Sequence, residues 1–295
     1  LSTVSQVITR AHRQLLSGVV EERNKIAATI TATATSCVLS YDLGSVRTGS
    51  VLEIDAEQMY VWEVVESTKT LTVERAFNGT TAAAHTGGTV VVVNPRFPRN
   101  QIFEAITDEL ADLSSPVNGL FQVKVLDFRY NGSDRQVNLP ASGTVIDLID
   151  VRSRNKSDDY QQVRSFKLLR DMPTKDFGSG LALQLDQDAY QGDMRVTFKA
   201  PFGKPAAEAD NLQNICGFPE SAEDILIIGA QIRLMAPREI KRNFTESQGD
   251  TRRSDEVPPG AVGNSITNLL RMRRDRITAE AQRLARLYPT FLQRA

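Results

Sequence analysis

Few residues in this chain could carry chemistry. Histidine occurs only at positions 12 and 85. Neither has a serine, cysteine or carboxylate at a sequence spacing that implies a catalytic triad or a metal site. Structural roles are expected for both: His12 at the edge of an apolar helix stripe, His85 after an alanine run and before a turn. Cys37 and Cys216 are the two cysteines. Two do not make a disulfide framework, and no nearby His or Cys suggests zinc. Reduced, half-buried thiols in a reducing compartment are the expectation. Asp186-Gln-Asp188 with Gly192-Asp193 has part of the pattern of an oxygen-rich calcium loop. It lacks the alternating ligands and closing glutamate, so a solvated turn is expected. Gly178-Ser-Gly180 precedes a predicted strand, not a helix, and so lacks the N-terminus that would hold a phosphate. On these residues the chain is expected to be no enzyme and to need no cofactor or metal.

The densest charge lies near the C-terminus. Arg271, Arg273, Arg274, Arg276, Arg283 and Arg286 crowd a predicted helix whose other side carries Ile266, Leu270, Ile277, Ala281, Leu284 and Tyr288. Guanidinium groups there could neutralise a phosphate backbone or pair with carboxylates of a neighbouring subunit. Aromatic residues interleaved for base stacking are missing apart from Tyr288. A protein contact or a solvated face is favoured over direct reading of DNA. The net charge of -1 likewise argues against a surface that grips nucleic acid throughout.

Four amphipathic helices must position these residues. They are expected near Thr3–Val20, Asn100–Leu113, Ser221–Ala236 and Asn264–Tyr288. The first has Val4, Val7, Ile8, Ala11, Leu15 and Val19 at three- and four-residue steps. Thr3 and Gln6 have capping-box spacing at its start. Asn100 is expected to cap the second helix, with Ile102, Ile106, Leu110 and Leu113 on one face. Ser221-Ala-Glu-Asp224 is expected to open the third, with Ile225, Ile228, Gly229, Ile232 and Met235 as its stripe and Pro237 as its stop. Residues 243–263 are polar and rich in Pro and Gly, and predict a loop that is mobile or ordered only on a partner.

Two β-rich stretches separate the helices. In the first, Val51–Ile54, Met59–Val65, Leu71–Glu74 and Val90–Val93 read as strands, with turns at Asn78-Gly79 and Gly87-Gly88. In the second, strands are expected at Phe121–Tyr130, Gln136–Leu139, Thr144–Val151, Val163–Leu169, Leu181–Leu185 and Arg195–Lys199, with a hairpin turn at Asn131-Gly132. The fold class expected is α+β: a small helical bundle (1–28, 95–119 and 218–295) with an extended C-terminal arm. Into it are inserted a small barrel-like module (29–94) and a sandwich-like module (120–217). A 295-residue chain can bury a core of that size. No apolar run approaches the ~18–20 residues of a membrane span. No basic-then-apolar leader opens the sequence, so a soluble chain made in the cytosol is expected. Leu1 in place of Met leaves room for a few preceding residues.

Leu71-Thr-Val-Glu-Arg-Ala-Phe-Asn-Gly-Thr-Thr-Ala-Ala-Ala-His85, followed by Gly87-Gly88-Thr-Val-Val, resembles a β-hairpin phrase of tailed-bacteriophage virion proteins. The stretches Gly49–Val61 and Arg96–Ile106 fit the same phrase. With its helix order and basic last helix, the chain resembles the head–tail adaptor (connector, or neck) family. That resemblance implies a homo-oligomeric, dodecameric ring in the virion neck, assembled in the host cytoplasm. Such a ring sits beneath the portal protein, meets a stopper or tail-tube-proximal protein, and extends the channel for genome ejection. DNA would pass through without sequence-specific contact, and no membrane is involved. Docking to the portal or a neighbour is then expected through Arg271, Arg274, Arg283, Arg286, Tyr288, Phe291, Leu292 and Arg294.

Two other readings stand beside it. One is another neck or tail component, such as a stopper or tail terminator, though those are mostly β-barrels. The other is a carbohydrate-binding or carbohydrate-processing virion protein, suggested by Tyr160 and Tyr190 in expected loops.

Overall fold

The computed structural model describes residues 2–139, 145–154, 159–185, 191–246 and 261–289. Helix and strand take nearly equal shares, 33% and 30%, so the chain is α+β. It divides into two compact units. One comprises Val4–Thr107 and Leu226–Leu269; the other comprises Leu1–Thr3, Asp108–Ile225 and Leu270–Ala295.

The first unit opens with α1 (Val4–Leu16), whose residues Val4, Val7, Ile8 and Ala11 are buried as their spacing expects. The helix ends earlier than the periodicity suggests. Ser17 and Gly18 take positive φ, at 48° and 87°. Left-handed residues stop a helix, and Val19 is left 45% exposed instead of continuing the stripe.

Six strands follow: β1 (Arg23–Lys25), β2 (Ser36–Val38), β3 (Val51–Ile54), β4 (Glu57–Val65), β5 (Thr70–Glu74) and β6 (Val90–Val93). They form a curled antiparallel sheet in the order β1-β6-β3-β4-β5-β2. Its two edges meet. Ile26 bridges Leu39, Ala27 N–H donates to Val38 O at 2.8 Å, and Ser40 N–H donates to Lys25 O at 2.8 Å. Bridging removes the exposed edges that invite further strand addition. Ile26, Leu39, Leu52, Met59, Leu71 and Val91 lie in the buried cluster inside the curl. The strands β1 and β2 escaped sequence reading because three residues cannot display an alternating pattern; their partners create them.

The sheet leads into α2 (Arg99–Leu113). Asn100 does not cap it, because the helix has already begun at Arg99. The Arg99 N–H is met instead by the Glu53 carboxylate of β3, at 2.7 Å. Asn100 accepts from the Gln58 side chain at 2.6 Å. A carboxylate at a helix start satisfies an orphan donor and suits the helix dipole.

The second unit holds β7 (Gln122–Tyr130), β8 (Gln136–Asn138), β9 (Asp147–Arg154), β10 (Tyr160–Gln162), β11 (Phe166–Leu169), β12 (Ala182–Leu185) and β13 (Gly192–Ala200). They make a four-stranded sheet, β10-β9-β13-β7, and a three-stranded one, β11-β12-β8. All pairs are antiparallel. Leu148, Val151, Met194 and Val196 of the larger sheet share one buried cluster with Phe166, Leu183 and Leu185 of the smaller. Asn131-Gly132 turns the chain, with Gly132 at φ 84°, but joins no hairpin. Its flanking strands belong to different sheets, and β7 pairs along all nine residues with β13.

Irregular chain then leads to a single π turn, Leu212–Cys216, held by Asn211, whose side chain accepts from the N–H groups of Gln213 and Asn214. Gly203 lies against this turn: a Cβ there would meet Ile215 O at 2.6 Å.

α3 (Glu223–Glu246) and α4 (Ala261–Leu287) complete the chain. Ser221 does not open α3; it lies in a 3₁₀ turn, Glu220–Ala222, and the α-helix starts at Glu223. Residues 225–231 are buried all round, not along one stripe. A helix buried on every side has no polar face to pattern it. Pro237 does not stop the helix, which runs to Glu246. Proline forfeits one backbone bond and crowds the preceding turn, a cost of ~3 kcal/mol, and α3 tolerates it. Of the expected 243–263 loop, 243–246 end α3 and 261–263 start α4; residues 247–260 lie outside the described residues.

Candidate functional site

The arginines of α4 fall into two groups. Arg273, Arg276 and Arg283 are paired within the chain. The Arg273 Nε donates to Glu109 Oε1 at 2.6 Å while its other arm reaches Asp112. Arg276 grips Asp224 with two bonds and also the Ser221 carbonyl. Arg283 is bidentate to Glu280. The intersubunit pairing open to these residues by sequence is therefore satisfied at home for Arg273 and Arg276.

Arg271, Arg274 and Arg286 are exposed and have no side-chain partner among the described residues. At 100° per residue Arg271 and Arg286 lie on the side away from the buried Ile277, Glu280 and Leu284, with Arg274 at the flank of that side. Leu270, expected on the apolar stripe, is 48% exposed.

The end of α4 lines a cleft of about 320 Å³. Leu284, Tyr288 and Arg283 form one wall, with Phe121, Phe202 and Phe218 around it. The rings of Phe202 and Phe218 meet edge to face at 5.0 Å. Thus Arg283 and Tyr288, singled out from the sequence, line one cleft of mixed polar and apolar walls. Phe291, Leu292 and Arg294 lie outside the described residues. The cleft lining mixes those apolar side chains with the polar Gln122, Gln213, Glu280 and Arg283.

A second assembly is built by the Leu71–His85 phrase. Glu57, 1% exposed, is its centre. Arg75 donates to Glu57 through Nε (2.7 Å) and a terminal nitrogen (2.8 Å). The N–H groups of Ala76 and Ala83 donate to the same carboxylate, at 3.2 and 3.0 Å. His85 Nε2 sits 2.8 Å from Glu57 and its Nδ1 3.1 Å from Asp55. The other terminal nitrogen of Arg75 donates to the carbonyls of Thr31 and Ala34, and the one that meets Glu57 also donates to the Ala83 carbonyl. Asn78 enters the left-handed region at φ 52° and donates to Gln58 at 2.8 Å. Burial alone would push the Glu57 carboxyl up. The Arg75 guanidinium, the Ala83 N–H, His85 and the Ala76 N–H outweigh it and hold the group at about 2. His85 thus touches two carboxylates that sequence spacing did not bring together. Among the described residues no hydroxyl or thiol is bonded to it, and the assembly works as a clasp binding four segments.

Among the described residues no cluster of His, Cys, Asp or Glu could hold a metal, and no helix is long and apolar enough to cross a membrane. Asp186, Asp188 and Tyr190 lie outside the described residues. Tyr160 is not in a loop: it belongs to β10, with the Arg195 guanidinium 5.4 Å from its ring centre. Cys37 and Cys216 are free and buried, and burial pushes both thiols up to about 11. His12 sits 3.4 Å from the buried Glu21 carboxylate.

A scan against protein-family models matches none, and a search of curated proteins finds no matching relative.

Proposed function

We propose that this chain is a structural virion protein, the head–tail adaptor of a tailed bacteriophage. Its copies form a ring beneath the portal, extend the DNA channel, and join the capsid to the stopper or tail. The observation that carries the reading is the clasp at Glu57. The phage-like phrase supplies Arg75, Ala76, Ala83 and His85, and all four converge on that one carboxylate. The phrase therefore has a mechanical meaning, a rigid knot in a small sheet, which suits a part that must bear load and carries out no turnover.

The finer architecture belongs to the same proposal: a helical bundle with barrel-like and sandwich-like insertions and a C-terminal arm. It is supported by the bridged edges of the six-stranded sheet, by the core shared between the two smaller sheets, and by the burial of Ile8, Ile102, Ile106 and Leu226. Docking to the portal or a neighbour is assigned to Arg271, Arg274, Arg283, Arg286 and Tyr288, continuing through Phe291, Leu292 and Arg294. The exposed Arg271, Arg274 and Arg286, with the aromatic-lined cleft at the end of α4, offer both charge and an anchor point.

The test is direct. Averaged electron-microscopy images of the particle neck, with this chain traced in the density, should place it as a ring against the portal. A trace elsewhere in the particle, or measurable turnover of a glycan by the purified chain, would overturn the reading.

A further inference from the structure

The outward face of β4, β5 and β2 has no role in the site above. Its inward residues, Cys37, Val61, Leu71 and Val73, fill the buried core. The pairing of β4 with β5 slips between Val61 and Glu63. One extra residue at such a bulge turns outward alongside its neighbour, and here Trp62 and Glu63 are both exposed. Trp62 is 56% exposed and is the chain's single tryptophan. Its ring meets Tyr60 edge-on at 4.8 Å, and Tyr60 meets Phe77 at 5.2 Å. The Trp62 Nε1–H donates to Glu74 at 3.1 Å, which fixes the indole. Val38 and Val65 extend the patch, at 37% and 41% exposure. The outward positions of these strands are Ser36, Val38, Tyr60, Trp62, Glu63, Val65, Thr70, Thr72 and Glu74. They include two carboxylates and no lysine or arginine.

An aromatic platform rimmed by carboxylates suits a guanidinium, which stacks on the rings and pairs with the acids. The chain itself carries such groups in Arg271, Arg274 and Arg286. Their stripe spans ~22 Å of helix at 1.5 Å per residue. The outward run from Tyr60 to Val65 spans ~17 Å, so the stripe is long enough to cover that run, and the two are opposite in charge. We propose that the Tyr60–Trp62–Phe77 platform, with Glu63 and Glu74, receives the α4 arginine stripe of a second copy. The contact is heterologous, one patch against a different patch, which is the type that generates rings. It rests on the ring reading of the previous subsection and names that ring's interface.

Charge-swapped full-length chains test it. Glu63→Lys/Glu74→Lys and Arg271→Glu/Arg274→Glu should each raise the concentration needed for assembly at least tenfold in sedimentation velocity. An equimolar mixture should restore assembly, because each reversed patch then meets its complement. Trp62 emission should shift to the blue as wild-type chains assemble. Trp62→Ala should weaken assembly with its melting temperature unchanged. If wild type assembles while both swaps assemble equally well and Trp62 emission stays constant, this interface is wrong and the ring reading stands. If wild type stays monomeric both alone and with portal protein, both fall. An oligosaccharide that moves Trp62 emission in a monomeric chain would make the platform a sugar site and overturn the proposal.

Discussion

Glu57 shows how a single buried carboxylate sets an acid limit. Its folded pKa of about 2 lies below the ordinary 4.5. The group is therefore ionised in both states above pH 4.5, and its contribution to stability is complete there. That contribution is lost as pH falls from 4.5 towards 2, because the unfolded chain takes the proton first. A shift of this size corresponds to about 3 kcal/mol. Urea midpoints measured against pH should fall in that window for the wild type and fall less steeply in Glu57→Gln, where Glu22 and Asp127, both held below their ordinary values by hydrogen bonds, still titrate. Arg75→Ala should cost about 3–5 kcal/mol at neutral pH, since it leaves a buried charge short of its main partner. His12 acts in a higher window. Burial lowers its pKa, the Glu21 carboxylate opposes this, and Arg99 and Arg23 add to the lowering. Its folded pKa thus lies below 6.5, and its contribution is present above pH 6.5 and lost below it. His12→Gln should remove that upper step and leave the Glu57 step in place.

On α4, the same side chain stands in two kinds of surroundings. Arg273 lies against Glu109, whose side chain is 2% exposed. Arg271 lies in solvent. Arg273→Met should destabilise the chain by about 3 kcal/mol, and Arg271→Met by no more than about 0.5 kcal/mol. Thermal melts of the two variants decide it: equal losses would contradict a division of the α4 arginines into paired and solvated groups. The turn at Leu212–Cys216 gives a backbone counterpart. Gly203→Ala would press a methyl against the Ile215 carbonyl, an overpacking that costs about 1–3 kcal/mol. The measured loss should come with no change in far-ultraviolet dichroism.

For the whole molecule, the proposed docking arm makes the sharpest expectation. Ending the chain after Pro289 removes Phe291, Leu292 and Arg294 but leaves Leu284 and Tyr288 in the cleft wall. The truncated chain should melt within a few degrees of wild type and fail to co-sediment with portal protein. Retained co-sedimentation would remove the arm from the docking surface.

The sequence by itself determined the elements with strong local pattern. The α2 stripe of Ile102, Ile106, Leu110 and Leu113 is buried as its spacing requires. Strands at Val51–Ile54 and Val90–Val93 stand where alternation and apolar runs put them. The two thiols, expected half-buried, are fully buried. Tertiary structure decided whatever depends on residues far apart in the chain. Glu57 and His85 are 28 positions apart, and Arg273 and Glu109 are 164 apart. No spacing rule reaches across such gaps. The edge strands exist through their partners, the cap of α2 comes from β3, and the arginines of α4 look alike until the carboxylates beside three of them are seen. Local backbone preference acts over a few residues and is written in the order of the chain. Charge pairing and burial act through space, and only the folded chain sets those distances.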